Sequence, residues 1–563
     1  MAVRVNSREI LGQFLGNENF PIKWKNESDK DEFWWFDDLH VPRPVSPLYF
    51  DIGGWWGETC EYMFRRFGVP FGKEWNASNV NGYLYTSVKR RDPEEEERLG
   101  PYFGMMLPIY ATRFIGWWED RYLPEIKKNL EYLDHFPYEN SSIPEMMVLF
   151  EDAIDIQERH FRIHWILNLA QFAAHQQFSD IAVEVAGEDA GQFVGKVLVS
   201  IKDKNWESSK ELYDIKEKVK ADSELKAIFS EQDTIENIQA ELVKSDKGQA
   251  ILDEINRYKD EYGYKAIFTH EYIYELWKEN PAPIYETLRN YIDSDYDYYQ
   301  DNKKVAVEQE LAINELRTRI QNEDDLKKFN DALELALAMN PLTPDHHFYI
   351  DQGTYARMRI AIKEIGKKFV NRGDLDDSED IFYLVYDEIR HLAAVPDAFD
   401  AKALVAQRRQ EQDEAQAVSP RDWVGTADHW SLNEQVYAGV WGYPERFELS
   451  KTKDQETDEV KGLAASSGVV EGVARYISSP DDFEKLQQGE ILVCRMTNPA
   501  WTLLFSKISG LVTDSGGILS HPAVIAREYG VPAVTSTLDG TTKIKSGQRI
   551  RVDGSSGVVT ILE

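Results

Sequence analysis

The chain has 563 residues, 42% of them hydrophobic, which is material for more than one buried core. Its 98 acidic side chains outnumber 64 basic ones, giving a formal charge of −34, and such a field repels nucleic acid and anionic membrane, so neither is expected as a partner. Two cysteines, an N-terminus without the apolar stretch of a signal peptide and no apolar run near the ~20 residues that span a bilayer point to a reducing, cytoplasmic setting.

Residues 1 to about 130 are rich in Trp, Gly and Pro and read as loops and short elements packed by aromatics; Trp34-Trp35 and Trp55-Trp56 either line a pocket or, the favoured reading, pack the core. The chain's 15 Trp, 28 Tyr and 26 Phe also leave material for a flat apolar pocket. Arg113, inside Y-A-T-R-F-I-G-W-W, either binds phosphate or stacks on a ring, or else forms a buried ion pair. From about 143 to 395 apolar residues recur at three- and four-residue spacing, the mark of helices. His160 and His164 stand four apart in H-F-R-I-H; without a third ligand they read as core or pocket residues, and no metal is assigned. The segment 200–260 is highly charged and helical.

N-P-L-T-P-D-H-H-F-Y-I-D-Q, 340–352, holds adjacent His346 and His347, which an α-helix would point about 100° apart, so that one faces a pocket. Asp345 can orient one of them, and either could take a proton from an attacking hydroxyl; the alternative is a cap and a packed core residue. Arg359 and Lys363, four apart, place two cations on one helix face, suited to a phosphate or simply solvated. Gly373 suits the helix stop. His429-Trp430 and 437–443 either line a pocket or pack the domain end. The polar run 449–462 reads as a linker. Beyond it, short β-rich runs separated by glycines make one compact α/β domain, 463–563.

In that domain the stretch T-D-S-G-G-I-L-S-H-P-A-V-I-A-R-E-Y-G places His521 at a strand–turn–helix junction. Pro522 is tolerated in the first helical turn and Gly530 ends the helix. Gly516 and Gly517 let backbone N–H groups approach closely, and a helix N-terminus attracts anions. A neutral imidazole there can attack phosphorus, and the phosphate formed would meet Ser520, Arg527 and, from the run I-L-V-C-R-M-T-N-P, Thr497.

The runs G-E-I-L-V-C-R-M-T-N-P, V-T-D-S-G-G-I-L-S-H-P-A-V-I-A-R-E-Y-G-V-P-A-V and V-D-G-S-S-G-V-V closely resemble the swivelling phosphohistidine domain of the phosphoenolpyruvate-utilising enzymes. The resemblance implies that His521 is transiently phosphorylated and that the domain shuttles between two sites. It implies a mostly α-helical acceptor-binding domain, 1–448, followed by the α/β phosphohistidine domain. P-R-P-V-S-P-L-Y, V-N-G-Y-L-Y and S-E-D-I-F-Y-L-V-Y-D-E-I resemble the acceptor domain of this family, in the layout of rifampin phosphotransferase and of the histidine-bearing subunits of hydroxyaryl dikinases such as phenylphosphate synthase and the acetovanillone-type kinases. No Gly-rich phosphate loop with a partnered lysine stands out in 1–450, so ATP with Mg²⁺ is expected on a separate ATP-grasp subunit. The acceptor expected from the resemblance is a phenolic hydroxyl. The alternatives are an antibiotic alcohol of the rifampin type and a phosphohistidine carrier with no small acceptor.

Overall fold

A computed structural model describes residues 5–6 and 20–562, except 21, 23, 25, 55, 188–189, 201, 233, 294–296, 419, 435–442, 444–457, 479, 498–500, 506 and 517–519. The linker assigned to 449–462 therefore falls mostly outside the described residues, as do Gly517, Trp55 and most of 437–443.

The aromatic-rich N-terminal region is more ordered than its loop-like composition suggests. Strands β1 (Val5–Asn6), β2 (Phe33–Phe36), β3 (Glu74–Val80), β4 (Tyr83–Lys89) and β5 (Trp423–Ala427) form a sheet in the order β1-β5-β2-β4-β3. Strand β2 reads F-W-W-F, with every side chain buried. Phe33 and Trp35 pack into the main core with Trp75 and Trp423, while Trp34 and Phe36 meet Phe20, Tyr83 and Tyr85 on the opposite face. A strand covered on both faces loses the polar alternation of an exposed sheet, which is why this run lacks the usual strand period. Through β5, a segment from far downstream in the chain closes the same sheet.

Helix also begins earlier than the periodicity indicates. Pro93–Trp117 is one helix (α1) despite internal Pro101 and Pro108. Packing of its Tyr110 and Phe114 into the core overrides the two local penalties. The 44-residue helix Ile143–Ala186 (α2) opens with a Ser142–Glu145 capping box and is the spine of the helical body. Helix α3 (Gly353–Arg372) lies along it and ends at Gly373 in the left-handed region, φ 96°. The irregular segment 264–278 closes its own base through Trp277 N–H to Lys265 O (2.9 Å) and pushes His270, Glu271 and Tyr272 into the interior.

The C-terminal sheet runs β6-β13-β12-β8-β9-β10-β11-β7, built from Glu459–Lys461, Leu463–Ser466, Val469–Tyr476, Ile491–Cys494, Gly510–Thr513, Ala533–Thr535, Arg549–Asp553 and Val558–Ile561 as β6 to β13. Strands β8 to β11 are parallel, and the rest of the sheet is antiparallel. β6 pairs with β13, so the sheet takes in the last residues of the segment read as linker. This domain docks on the helical body through one apolar cluster. Leu492, Leu511, Ile525 and Trp501 pack with Ile284, Leu288 and Tyr258, and the Tyr291 and Tyr529 hydroxyls lie 2.9 Å apart. Arg495 adds ion pairs to Asp38 (2.5 Å) and Asp422. Among the described residues no helix is long and apolar enough to cross a membrane.

Candidate functional site

Side chains that carry chemistry gather in each part of the chain. In the C-terminal domain, β10 is buried along its length and delivers the chain to Gly516 and then to helix α4, His521–Glu528. Gly516 has φ 119°, and a Cβ there would sit 2.6 Å from Ser520 Oγ, so this turn accepts glycine alone. Ser520 is the N-cap residue, and His521 opens the first turn where backbone N–H groups lack intrahelical partners. Behind the loop, Asp514 Oδ1 accepts from Thr541 N–H (2.9 Å) and Thr537 Oγ1 (3.1 Å), and its Oδ2 bonds Thr541 Oγ1. That anchoring fixes the strand end from which the histidine loop springs. Arg527 is buried, with its Nε–H donating to Ala465 O (2.6 Å), so at least part of its guanidinium ties α4 to β7. Thr497 is buried shortly beyond β9.

The second group lies inside the helical body. Five of the chain's 11 histidines, His40, His164, His270, His346 and His347, gather near Asp351. The segment that brings them together is not an α-helix. After the short helix Leu342–His346, residues His347–Gln352 form a wider π-helical turn. In this turn residues five apart share a side, so Asp351 reaches His346 as well as His347. His347 Nδ1 bonds Asp351 Oδ2, His164 Nδ1 stands 3.1 Å from Asp351 Oδ1, and His346 Nε2 is 4.0 Å from Asp351 Oδ2. His346 Nδ1–H donates to Leu342 O at 2.8 Å. Burial would raise the Asp351 carboxyl, but His164 and His347 beside it hold it well below its ordinary range. Burial keeps His346 far below its usual value and His270 at about 3. Burial opposes protonation of His40 too, yet the Asp37 carboxylate 2.8 Å away wins and raises it. Of the adjacent pair, His347 keeps 41% of its side chain exposed while His346 is buried.

Several sequence expectations need correction. Asp345 orients neither histidine: its Oδ1 accepts from Lys204 N–H (2.9 Å), and Asp351 takes the orienting role. Arg359 and Lys363 do share a face of α3, but Arg359 is buried and both are already neutralised. Arg359 Nε meets Glu279 (2.7 Å) and its Nη2 meets Glu379 (2.5 Å), while Lys363 Nζ lies 2.7 and 2.9 Å from the same two carboxylates. Burial would raise Glu279, but Arg359 and Lys363 bring it down to about 2. This is a closed network of two cations and two anions, not a solvated face and not an unoccupied phosphate cradle. Arg113 is exposed on α1, neither stacked in an aromatic interior nor in a buried ion pair. His160 and His164, read as core or pocket residues, lie in different surroundings. His160 is buried between Thr354 Oγ1 (2.8 Å) and Asn129 Nδ2 (3.1 Å), whereas His164 joins His346 and Asp351. His429 is an exposed partner of Glu434.

Asp351, His270, His40 and Glu271 were not singled out in the sequence. Glu271 Oε1 accepts from Ser46 Oγ and Tyr272 N–H, its Oε2 accepts from Ser46 N–H, all at 2.7 Å, and burial raises it to about 7. The cluster's partners come from segments widely separated along the chain, so spacing carries no signal for them. Asp351 alone was legible, five positions after His346, to a reader who allowed a π turn.

Comparisons with known proteins place both parts. Residues 486–557 match the mobile domain of the PEP-utilising enzymes, and residues 166–341 match the rifampicin phosphotransferase fourth domain. The chain is 28% identical to the uncharacterized phosphotransferase YvkC of Bacillus subtilis, over 95% of this chain and 62% of that protein. It is 28% identical to chondramide synthase cmdD of Chondromyces crocatus, over 96% of this chain and 14% of that protein. It is 32% identical to a rifampicin phosphotransferase of Bacillus cereus, over 57% of this chain and 36% of that enzyme. The chain thus spans less than two thirds of the length of these relatives.

Proposed function

From a chain that belongs to the phosphoenolpyruvate-utilising enzyme family, with the layout of the rifampicin phosphotransferases, we propose a phosphohistidine-carrying, acceptor-binding part of an ATP-dependent dikinase. His521 receives the β-phosphoryl group of ATP and passes it to a hydroxyl held by the helical body. The balance is ATP + ROH + H₂O giving AMP + phosphate + the phosphate ester. ATP and Mg²⁺ are held by an ATP-grasp unit, which we take to be supplied in trans in the same cytoplasmic compartment. The observation that carries this reading is the D-S-G-G-I-L-S-H cassette, which leaves the end of a buried parallel strand and opens helix α4 within the matched mobile domain.

Transfer from a phosphohistidine needs chiefly positioning, charge neutralisation and removal of the acceptor's proton. His347 suits the last task. Its Nδ1 is held by Asp351, which orients the ring, leaves Nε2 as the base and stabilises the imidazolium that forms. The phenolic acceptor is read from the resemblance of the N-terminal motifs to the hydroxyaryl dikinases; Tyr49, Tyr272 and Tyr355 pack ring to ring beside His270 as buried core. The second reading is a bulky antibiotic-type alcohol. It is favoured by the match over 166–341 and by relatives that carry the rifampicin phosphotransferase name.

Intact-mass measurement tests this directly. With ATP, Mg²⁺ and the ATP-grasp partner, the wild type gains one phosphoryl group and His521→Ala gains none. Adding phenols, 4-hydroxyacetophenones or rifampicin removes the group, and the compound that discharges it names the acceptor class. A charged protein that no hydroxyl compound discharges would leave the carrier function alone, and absence of charging would refute the mechanism.

A further inference from the structure

Three buried polar atoms converge at one point of the helical body: His164 Nδ1 and Asp351 Oδ1 face each other at 3.1 Å, and His346 Nε2 beside them makes no hydrogen bond among the described residues. An unsatisfied buried polar group costs about 1–3 kcal/mol, and a ligand bound between these atoms would remove the cost at His346 Nε2. One candidate ligand atom from each of the three residues lies within 4.8 Å of the other two. His164 comes from α2; His346 and Asp351 come from the two sides of the π turn, far downstream in the chain.

We propose that His164, His346 and Asp351 bind one divalent transition-metal ion of the zinc class. The donor set is two neutral imidazoles and one carboxylate, a combination that suits zinc and its first-row neighbours rather than magnesium or calcium. Three protein ligands leave a fourth position for water or a substrate oxygen, the pattern of catalytic rather than structural zinc. Around a tetrahedral ion, ligand atoms stand about 3.4 Å apart, as bonds of about 2.0–2.1 Å require. His164 Nδ1 and Asp351 Oδ1, at 3.1 Å, are near that spacing already, and all three ligand atoms lie within 4.8 Å of one another.

The outer groups fit the same purpose. His346 Nδ1–H is engaged by Leu342 O, which fixes the tautomer with Nε2 bare. His164 Nε2 lies 2.7 Å from the Asn168 side-chain amide. The structure places Asn168 Nδ2 at that nitrogen; metal binding through Nδ1 requires the amide flipped, so that Asn168 Oδ1 accepts from Nε2–H and Nδ1 is bare. Asp351 Oδ2 is held by His347, leaving Oδ1 for the ion. The half-exposed His347 ring, 4.2 Å from that of His346, marks the side from which an ion enters.

The test uses the untagged full chain, stripped with a chelator and titrated with Co²⁺. One equivalent with the visible d–d band of four-coordinate cobalt, displaced by one equivalent of Zn²⁺, is the expected result. His346→Gln and Asp351→Asn should weaken binding at least about 100-fold, and Asn168→Ala about 10-fold. His135→Ala, at an exposed histidine, should leave binding unchanged. Circular dichroism of each metal-free variant confirms folding, and Asn168→Ala serves where a ligand variant fails to fold. No one-equivalent site, or a site that survives His346→Gln and Asn168→Ala, overturns the proposal. The titration reads no phosphoryl transfer, so failure of the metal site and failure of the phosphohistidine reading give different results.

Discussion

His347 Nδ1 is engaged by Asp351, and a substitution can separate the role proposed for His347 from that proposed for His521. Asparagine at 347 keeps a polar group near Asp351 but offers no base. His347→Asn should therefore leave charging of His521 by ATP intact and slow discharge to the acceptor by about 10²–10⁴-fold, read by rapid-quench loss of the phosphoryl group. Equal slowing of both steps would show that the ring has no special part in the acceptor reaction. The Arg359 network makes a second residue-scale prediction. Arg359→Met strands Glu279 and Glu379 with Lys363 alone and should cost about 3–5 kcal/mol in urea unfolding, because it breaks a buried charge network from one side. Lys363→Met, at a side chain still 24% exposed, should cost no more than about 1 kcal/mol.

At the scale of elements, helix α3 is held against the short turn Ser378–Tyr383 by backbone contact. A Cβ on Gly366 would sit 2.1 Å from Ser378 O, a distance no rotamer relieves. Gly366→Ala should destabilise by about 2–3 kcal/mol and displace the segment that carries Glu379. Gly373→Ala, where the added atom meets nothing, should cost only about 1 kcal/mol, from its left-handed backbone. Thermal or chemical melts of the two variants rank them; the reverse order would contradict the packing described. Helix α3 thus links two features of the helical body. It follows directly on the π turn at its start and bears Arg359 and Lys363 further along.

For the whole molecule, buried titratable groups set how stability depends on pH. His160 and His175 are held down by burial to about 3 and about 4. Below pH 6.5 the unfolded chain takes up protons that these rings refuse, so stability falls with pH, by about 2 kcal/mol per ring at pH 5. Glu271 works in the opposite direction. Burial raises it to about 7, so the folded chain binds its proton first and its contribution grows as pH falls from 7 toward 4.5. Unfolding free energies at pH 5 and pH 8 check both signs. The cost of His160→Gln should shrink at pH 5, and that of Glu271→Gln should grow.

Much was legible in the sequence. The phosphohistidine cassette is local: a strand, a glycine turn and a helix start follow one another within a single short stretch, so their order alone places His521. The helical body and the β-rich end likewise follow from short-range period and composition. Tertiary structure alone decided the rest, because it depends on what long-range packing brings together. F-W-W-F became a central strand only because β4 and β5 flank it and cores form on both of its faces. Arg359 and Lys363 share a face as their spacing says, but Glu279 and Glu379, which neutralise them, arrive from other segments. The acceptor-side cluster needed a π turn that α-helical spacing does not anticipate, and a histidine from the distant helix α2. Local sequence order marked the histidine proposed to carry the phosphoryl group; only the folded body assembles the buried histidine–carboxylate cluster, since burial and convergence are properties of the packed chain.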